Sequence, residues 1–310
     1  MTDQKIIFMG TPEMSAYVLE GLVKAGFDIV GVVTKEDKER GRGKVMTPSP
    51  VALKAEEYGI PVHKPHRLNK DYAFIEEKKP DLILAFAYGQ IVSETILALS
   101  RLKPLNLHGS ILPRYRGASP IQEALKHGDK ETGVTLMEMI KEMDAGDMYA
   151  VKRIRIEDDD NYTSLCKKMA RTALDLAIEF LPLYFEGKLE HVPQNLDEVS
   201  FCSMLKKEEE HLNLEWPADR LINQIRALSY EPGAYLDSDI GPIKIYKASK
   251  YSDEITADVG TIILARKKQI VLQVSDGQIL IRELQRPGKK MMGAADFNNG
   301  FRNFEGMVLR

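Results

Sequence analysis

The sequence is poor in the features that mark secreted, membrane and polycationic proteins. Its two cysteines, Cys166 and Cys202, form no CxxC pair and have no metal-ligand spacing, which argues against a disulfide framework and a cysteine-based zinc site. No hydrophobic run reaches the length of a membrane span, and IIFMG near the start is too short for a signal-peptide core. The formal net charge of -3 argues against a chain that binds polyanions over its whole surface. A polyanion would have to bind a local basic patch. We therefore expect a cytoplasmic protein with reduced thiols and no membrane partner.

Continuous apolar segments alternate with helical patterns in the first part of the chain. Uniformly apolar runs are typical of parallel strands that are covered on both faces. The runs are IIFMG near the start and those at 29–33 and 82–87, and the helical patterns lie at 13–25, 49–58 and 69–78. This alternation predicts an α/β fold with a doubly wound, mostly parallel sheet. Ligands of such sheets bind beyond the carboxyl ends of the strands.

The pattern changes near residue 190. Residues 190–206 combine weak periodicity with clustered charge, as in a linker. In residues 207–310, one helical pattern is followed by short strand-like runs with turn signals between them, which predicts a small OB-like antiparallel β-barrel. We therefore expect a catalytic domain over 1–189, a linker over 190–206 and a second domain over 207–310.

The stretch NLHGSILPRYRG places Asn106 and His108 at the end of a predicted strand. Histidine can take and return a proton near neutral pH, and an asparagine amide can donate a hydrogen bond to a developing oxyanion. Residues two apart on a strand face the same side, so both would point at one reacting centre. A carboxylate to orient the imidazole would come from Asp144 or Asp147 in the turn MDAGDM, and spacing does not choose between them. On residue type alone, structural roles are the more common alternative.

A basic segment follows the second predicted strand. Residues 40–54 contain Arg40, Arg42, Lys44 and Lys54 and no acidic residue. Glycines between the arginines let the backbone approach a phosphate chain closely. A Walker loop is excluded, because position 38 is lysine and Val45 follows Lys44. On charge alone, a solvated loop is the favoured interpretation.

Several motifs together resemble those of the 10-formyltetrahydrofolate-dependent formyltransferases. The family pattern is an N-x-H-x-S-x-L-P-x-x-R-G run followed by a D-x-G-D turn, and NLHGSILPRYRG and DAGD both match it. Further similar segments are FMGTPEMSAYVLEGL, GRGKVMTPSPVALKA, AFAYGQIVS, GVTLMEMIKEMDAGDM, KKEEEHLNLEW and VGTIILARKKQIVLQVSDGQILIRELQRPGKKMM. The resemblance therefore covers nearly the whole chain.

The resemblance implies a formyltransferase-type Rossmann-like domain and transfer of the formyl group of 10-formyltetrahydrofolate to the amine of methionyl initiator tRNA. It assigns the catalytic trio to Asn106, His108 and Asp144, which selects Asp144 over Asp147. In such a reaction the amine attacks the formyl carbon, Asn106 and His108 stabilise charge on the formyl oxygen, and His108 moves a proton. The resemblance calls for no metal.

The same resemblance implies roles in substrate binding. It places folate contacts at Ser110, Ile111, Leu112 and Pro113, and it assigns Tyr88 and Gly89 to the pterin pocket. The basic loop with Arg40, Arg42 and Lys44 would enter the tRNA acceptor stem, and the C-terminal domain would bind tRNA. Upstream of the loop, KEDKE departs from the proline-containing family pattern. A monomer is expected.

Two other functions compete with this interpretation. A formyltransferase acting on an amino-sugar nucleotide would share the folate and the catalytic trio, but it would not require the basic glycine-rich loop. A noncatalytic RNA-binding protein could keep the transferase fold, but the intact Asn106, His108 and Asp144 argue against it.

Overall fold

The computed structural model describes residues 2–40 and 43–310, which fall into two compact units. The first unit comprises Met1–Pro120, Glu131–Arg155 and Cys166–Ser203, and the second comprises Ile121–Lys130, Ile156–Leu165 and Met204–Arg310. Most of the segment that the sequence suggests as a linker thus groups with the first unit. The domain boundaries expected at 189 and 207 stay a prediction.

The secondary structure follows the order expected of an α/β unit and then an antiparallel unit. In chain order the elements are β1 (Thr2–Gly10), α1 (Glu13–Lys24), β2 (Phe27–Val33), β3 (Lys38–Arg40), β4 (Val45–Thr47), α2 (Pro50–Glu57), β5 (Val62–His63), α3 (Ala73–Lys78), β6 (Leu82–Phe86), α4 (Glu94–Leu97), β7 (Leu105–His108), β8 (Arg116–Gly117), α5 (Pro120–Lys126), β9 (Glu131–Glu138), β10 (Met148–Arg155), α6 (Tyr162–Phe185), β11 (Phe201–Cys202), α7 (Ala218–Leu228), β12 (Ala234–Leu236), β13 (Ile243–Ser252), β14 (Ile262–Arg266), β15 (Gln269–Val274), β16 (Gly277–Gln285), β17 (Met292–Gly293) and α8 (Ala294–Gly300). Short 3-10 helices cover Leu68–Lys70, Leu196–Glu198 and Lys207–Glu210.

A seven-stranded sheet forms the centre of the first unit. Its strand order is β10-β9-β7-β6-β1-β2-β5. The strands from β5 to β7 pair in parallel, whereas β9 pairs antiparallel with both β7 and β10. Ile6, Ile7, Phe8 and Met9 of β1 are each 0% exposed, as expected for a strand covered on both faces. The predicted fold class, a mostly parallel α/β sheet followed by a small β domain, is confirmed.

The strand order places candidate functional residues at one edge of this sheet. β1, β6 and β7 are neighbours in the sheet and run parallel, so their carboxyl ends lie together. The register pairs Gly10 with Phe86 and Ala85 with Asn106. The segments that follow β1, β6 and β7 therefore leave the sheet side by side.

The second unit contains a six-stranded antiparallel sheet. Its strand order is β12-β13-β16-β15-β14, and β17 pairs with β16. Helix α7 contributes Leu221, Ile225 and Leu228 to a core that also contains side chains of the strands and of α8. The predicted antiparallel domain is therefore present, and its closure into an OB-type barrel stays a prediction.

The helices of residues 2–40 and 43–310 include none that is both long enough and apolar enough to span a lipid bilayer.

Replacing Leu84 by alanine tests how much the buried β6 strand contributes to stability. Leu84 is 0% exposed in the middle of the parallel sheet, and a cavity at such a site costs about 2–5 kcal/mol. Leu84→Ala should speed hydrogen–deuterium exchange of peptides from β1 and β6. Leu53→Ala, at a position that is 46% exposed, should change exchange little. Equal exchange in the two variants would contradict the described packing.

Candidate active site

His108 is the buried polar residue that ends β7. Its side chain is 5% exposed, and its Nε2 lies 2.9 Å from the carbonyl oxygen of Tyr115. A carbonyl oxygen only accepts hydrogen bonds, so Nε2 carries a proton and donates it. Nδ1 then faces Oδ2 of Asp144 at 3.6 Å. This distance is too long for a hydrogen bond but close enough for the carboxylate to stabilise a positive charge on the ring.

Asp144 lies in the connection between β9 and β10, with φ +52° in the left-handed backbone region. Its Oδ2 also accepts a hydrogen bond of 2.8 Å from the backbone N–H of Gly117. The other acid of the turn, Asp147, is directed elsewhere, because its Oδ2 lies 2.8 Å from Nδ1 of His191. Of the two carboxylates that sequence spacing leaves open, the one facing His108 is therefore Asp144.

Gln194 is a further residue at this site that no sequence pattern selects. It is 8% exposed, and its Nε2 donates bonds of 2.8 Å to the carbonyl oxygens of Asp144 and Gly146. Its Oε1 accepts a bond of 2.9 Å from Nε of Arg116. Gln194 thus joins the turn that carries Asp144 to strand β8. No local motif marks it, since these contacts span 48 to 78 residues of sequence.

The segment that follows Gln194 supports His108 through Tyr115. Oγ of Ser200 accepts a bond of 2.9 Å from the backbone N–H of Tyr115, whose carbonyl oxygen holds His108. Strand β11 then pairs in parallel with β8. Glycine is required at position 117, because a Cβ there would lie 2.1 Å from the carbonyl oxygen of Cys202. One segment therefore positions both His108 and Asp144.

Asn106 lies two residues before His108 on the same strand. Its backbone pairs with Ala85 of β6 and Met137 of β9, and its side chain is half-buried. Among the residues that the structure describes, its amide has no hydrogen-bond partner. Alternation along β7 gives Asn106 and His108 the same facing side. The amide is therefore available as a donor.

The four residues after Gly109 form a tightly bonded loop. Oγ of Ser110 donates to the carbonyl oxygen of Arg114 at 2.6 Å, and Oγ1 of Thr135 donates to the carbonyl oxygen of Ser110 at 2.7 Å. Thr135 also accepts a bond of 3.2 Å from the N–H of Leu112. Ser110, Leu112 and Pro113 are buried, and Ile111 is half-buried. The loop is thus held both by its own bond and by two bonds to Thr135 of β9. Ile111 is the most accessible of its four side chains.

Tyr88 and Gly89 follow β6 at the same edge of the sheet. Tyr88 is 4% exposed and packs in an apolar cluster with Val33 and Leu68. Its hydroxyl is buried, it has no hydrogen-bond partner in the described part of the chain, and burial raises its pKa. Gly89 has φ +80°. Tyr88 is therefore a core residue in this structure, while Gly89 follows it beyond the carboxyl end of β6.

The basic loop is described in part. Lys44 is exposed with φ +49°, and its Nζ lies 3.8 Å from Oε2 of Glu39. Arg40 ends β3, which pairs antiparallel with β4. Arg42 lies outside the described residues. Over residues 2–40 and 43–310, no three His, Cys, Asp or Glu side chains are grouped so as to hold a metal ion.

Two family models match this chain. The model described as formyl transferase covers residues 4–181, and the one described as formyl transferase, C-terminal domain, covers residues 204–302. Since the first model alone covers more than half of the chain, the chain belongs to the formyl transferase family. The family membership expected from the sequence motifs is confirmed.

Curated relatives are similar over nearly their whole length. The methionyl-tRNA formyltransferase of Lactobacillus gasseri is 39% identical over 297 residues, which cover 95% of each chain. The enzyme of the same name from Staphylococcus aureus strain MW2 is 40% identical over 302 residues, covering 96% of this chain and 97% of the relative.

Solved structures share the fold at low identity. HypX from Aquifex aeolicus aligns with a TM-score of 0.69 at 17% identity, over 98% of this chain and 49% of HypX. This chain therefore spans about half the length of HypX. An N-formyltransferase from Helicobacter canadensis, solved with folinic acid and dTDP-3-aminofucose, aligns with a TM-score of 0.66 at 19% identity, over 90% of this chain and 98% of that chain.

Removing the side chain of Gln194 tests its support of the Asp144 turn. Gln194→Ala leaves buried polar groups of Arg116, Asp144 and Gly146 without a partner, and one such group costs about 1–3 kcal/mol. The variant should therefore unfold at lower denaturant concentration and exchange amide hydrogens faster in the peptide covering 139–147. Leu196→Ala, at a position that is 75% exposed, should leave both measurements near the parent values. If amide exchange in the 139–147 peptide of Gln194→Ala stayed at the parent rate, the supporting role of Gln194 would be excluded.

Proposed function

We propose that this protein transfers the formyl group of 10-formyltetrahydrofolate to the amino group of methionyl initiator tRNA, giving N-formylmethionyl-tRNA for translation initiation. The observation that carries the chemistry is the 3.6 Å approach of Nδ1 of His108 to Oδ2 of Asp144, on the strand that also holds Asn106. The curated relatives support the choice of acceptor, since they bear this activity in their names at about 40% identity over nearly the full chain.

His108 acts as the proton carrier. Its Nε2 proton is held by the carbonyl oxygen of Tyr115, so Nδ1 is the ring atom that takes a proton from the attacking amine. It returns that proton to the folate nitrogen, which leaves as its bond to the formyl carbon breaks. The carboxylate of Asp144 stabilises the charged ring that results. The tRNA amine is itself a nucleophile, so no residue of this chain needs to form a covalent bond to the formyl group.

Asn106 acts as the donor to the carbonyl oxygen on which negative charge develops. Its amide has no partner among the described residues, and its backbone is fixed between β6 and β9. A positioned donor of this kind contributes about 2.7–4 kcal/mol to lowering a barrier. The site residues thus fit a cosubstrate that brings an activated formyl group. 10-Formyltetrahydrofolate supplies this chemistry.

The remaining binding roles follow from family membership. We assign folate contacts to Ser110, Ile111, Leu112, Pro113, Tyr88 and Gly89. The fixed loop after Gly109 supports a contact through its accessible residue, Ile111, and Gly89 lies at the same sheet edge. The buried position of Tyr88 favours a contribution through its backbone over one through its ring.

The basic loop would bind the tRNA. Arg40, Arg42 and Lys44 place three cations within five residues of sequence, and phosphate contacts of this kind depend strongly on salt. Exposure of Lys44 supports such a contact. Action as a monomer in the cytoplasm also belongs to this proposal.

A comparison of acceptors tests the proposed function. The protein is incubated with 10-formyltetrahydrofolate and, in turn, methionyl initiator tRNA, methionyl elongator tRNA and an amino-sugar nucleotide. We expect formyl transfer to the initiator tRNA and little to the other two. Transfer to the sugar nucleotide would replace the proposal with the sugar-modifying alternative, and transfer to no acceptor would reject both.

Replacing His108 tests the proton-carrying role. His108→Ala should lower kcat by about 10²–10⁴-fold, the usual contribution of general acid–base catalysis, with folate affinity nearly unchanged. His127→Ala provides the control, because that side chain is 59% exposed in the second unit. Retention of most of the kcat in His108→Ala would remove His108 from the reaction.

Replacing Arg42 tests the phosphate contact of the basic loop. Arg42→Ala should weaken tRNA binding and reduce the slope of log Kd against log salt by about one, the effect of losing one phosphate contact. Arg171→Ala, on an exposed position of α6, should leave the slope as it is. An unchanged slope in Arg42→Ala would count against phosphate contact.

A further inference from the structure

Lys35 brings a positive charge to the point where the strand order of the sheet reverses. From β1 the chain moves to β2 on one side of the sheet, whereas β6 and β7 lie on the other side. The crevice between the carboxyl ends of β1 and β6 is therefore the topological switch point, where α/β sheets bind their ligands. Lys35 follows β2, but its side chain reaches Gly89 after β6, since a Cβ on Gly89 would lie 2.5 Å from the Lys35 Nζ.

Gly89 has no side chain, and the end of Lys35 lies directly against it. A larger residue at position 89 would meet both Nζ and Cε of Lys35 and would displace this flexible side chain. The register of Ala85 with Asn106 places the exit of β6 beside the candidate catalytic strand. The charge of Lys35 therefore lies near the site that Asn106 and His108 define, at the same edge of the sheet.

The acids next to Lys35 in sequence are paired with other residues, whereas Lys35 itself is not paired. Glu36 binds Nδ1 of His66 at 2.7 Å, and Asp37 lies 2.8 Å from Nζ of Lys64. Over the described residues, Lys35 has neither a hydrogen bond nor an ion pair. Its side chain is half-buried, and burial, with a smaller effect of nearby Lys38, lowers its pKa. A partly dehydrated cation is costly unless an anion accompanies it.

We propose that Lys35 forms an anion subsite that holds a phosphate near the 3′ end of the tRNA acceptor strand. This inference rests on the proposed function and adds to it a point of contact for the acceptor. Lysine binds phosphate as a point charge through three N–H donors. The phosphate would complete the pairing that the ammonium lacks within the described chain.

The position of Lys35 in the chain favours phosphate over a carboxylate of the folate tail. Lys35 precedes β3 by three residues, and β3 and β4 flank the basic loop. The three acids of this segment, Glu36, Asp37 and Glu39, face His66, Lys64 and Lys44 instead of Lys35 or Lys38. Over the described residues, the positive charges of Lys38 and Lys35 therefore stay without an acidic partner between the loop and the switch point. An acceptor strand that met the loop would pass along this line of charge before reaching His108.

Binding measurements on two tRNA lengths test the subsite. Wild type, Lys35→Met and Lys35→Arg are titrated with intact initiator tRNA and with the same tRNA lacking its last three nucleotides. Lys35→Met should raise the Kd of intact tRNA about ten-fold or more, as expected for a charged hydrogen bond, and Lys35→Arg should restore most of the affinity. On the shortened tRNA the wild type should bind as weakly as Lys35→Met.

Controls separate the outcomes. Lys24→Met removes a lysine whose side chain is 64% exposed and paired with Glu20 on α1, and it should bind both tRNAs like the wild type. The Kd of tetrahydrofolate is measured for each variant, and a rise confined to tetrahydrofolate would overturn the assignment to tRNA phosphate. An unchanged Kd for every ligand in Lys35→Met would overturn the subsite itself.

The result of the binding measurements does not depend on whether the protein transfers a formyl group. These titrations need no turnover, so a protein that binds tRNA through Lys35 but formylates no acceptor would reject the proposed function alone. A protein that formylates initiator tRNA with no contribution from Lys35 would reject the subsite alone.

Discussion

The backbone pairing of β7 is the constraint on which the rest of the candidate site depends. β7 is four residues long, and it hydrogen-bonds to β6 on one side and to β9 on the other. This pairing fixes the register of β7 against both neighbours, and with it the positions of the polar residues on the strand. Asn106 and His108 are thereby held at the sheet edge without help from one another. The polar residues are tolerated at that edge because the apolar residues Leu105 and Leu107 satisfy the packing of the strand.

Around that fixed strand the site is completed by chain that is distant in sequence. Tyr115 fixes one nitrogen of the His108 ring, and Asp144 faces the other nitrogen. Both of these partners are in turn held by residues between Gln194 and Cys202. The imidazole is therefore oriented by a network whose members come from four separate segments. Such a network keeps the ring in one tautomer before any substrate arrives.

The sequence predicted the fold better than it predicted the site. Continuous apolar runs located β1, β2 and β6, because parallel strands are buried on both faces. The helical pattern at 69–78 was only partly right: the structure has a 3-10 turn and then α3. Asp71 and Tyr72 leave helical geometry and separate the two elements, with φ values of -144° and -128°. The spacing of apolar residues does not report such a local break in the backbone.

Site residues differ in how much a sequence reveals of them. Asn106 and His108 are two apart on a strand, so local geometry alone places them on one face. The choice between Asp144 and Asp147 depends on which turn residue adopts the left-handed region and on what His191 binds. Gln194 depends on contacts to residues far along the chain, which no spacing rule contains. The family motif resolved the first of these uncertainties but gave no indication of the second.

The late position of Gln194, Ser200 and Cys202 in the chain has a consequence for biosynthesis. As the polypeptide emerges from the ribosome, β7 and its histidine are made about ninety residues before the segment that fixes them. A nascent chain that ends before residue 194 has every member of the candidate catalytic trio but lacks the support that orients two of them. All strands of the seven-stranded sheet precede residue 194, so the ribosome completes them before it makes the residues that support the site.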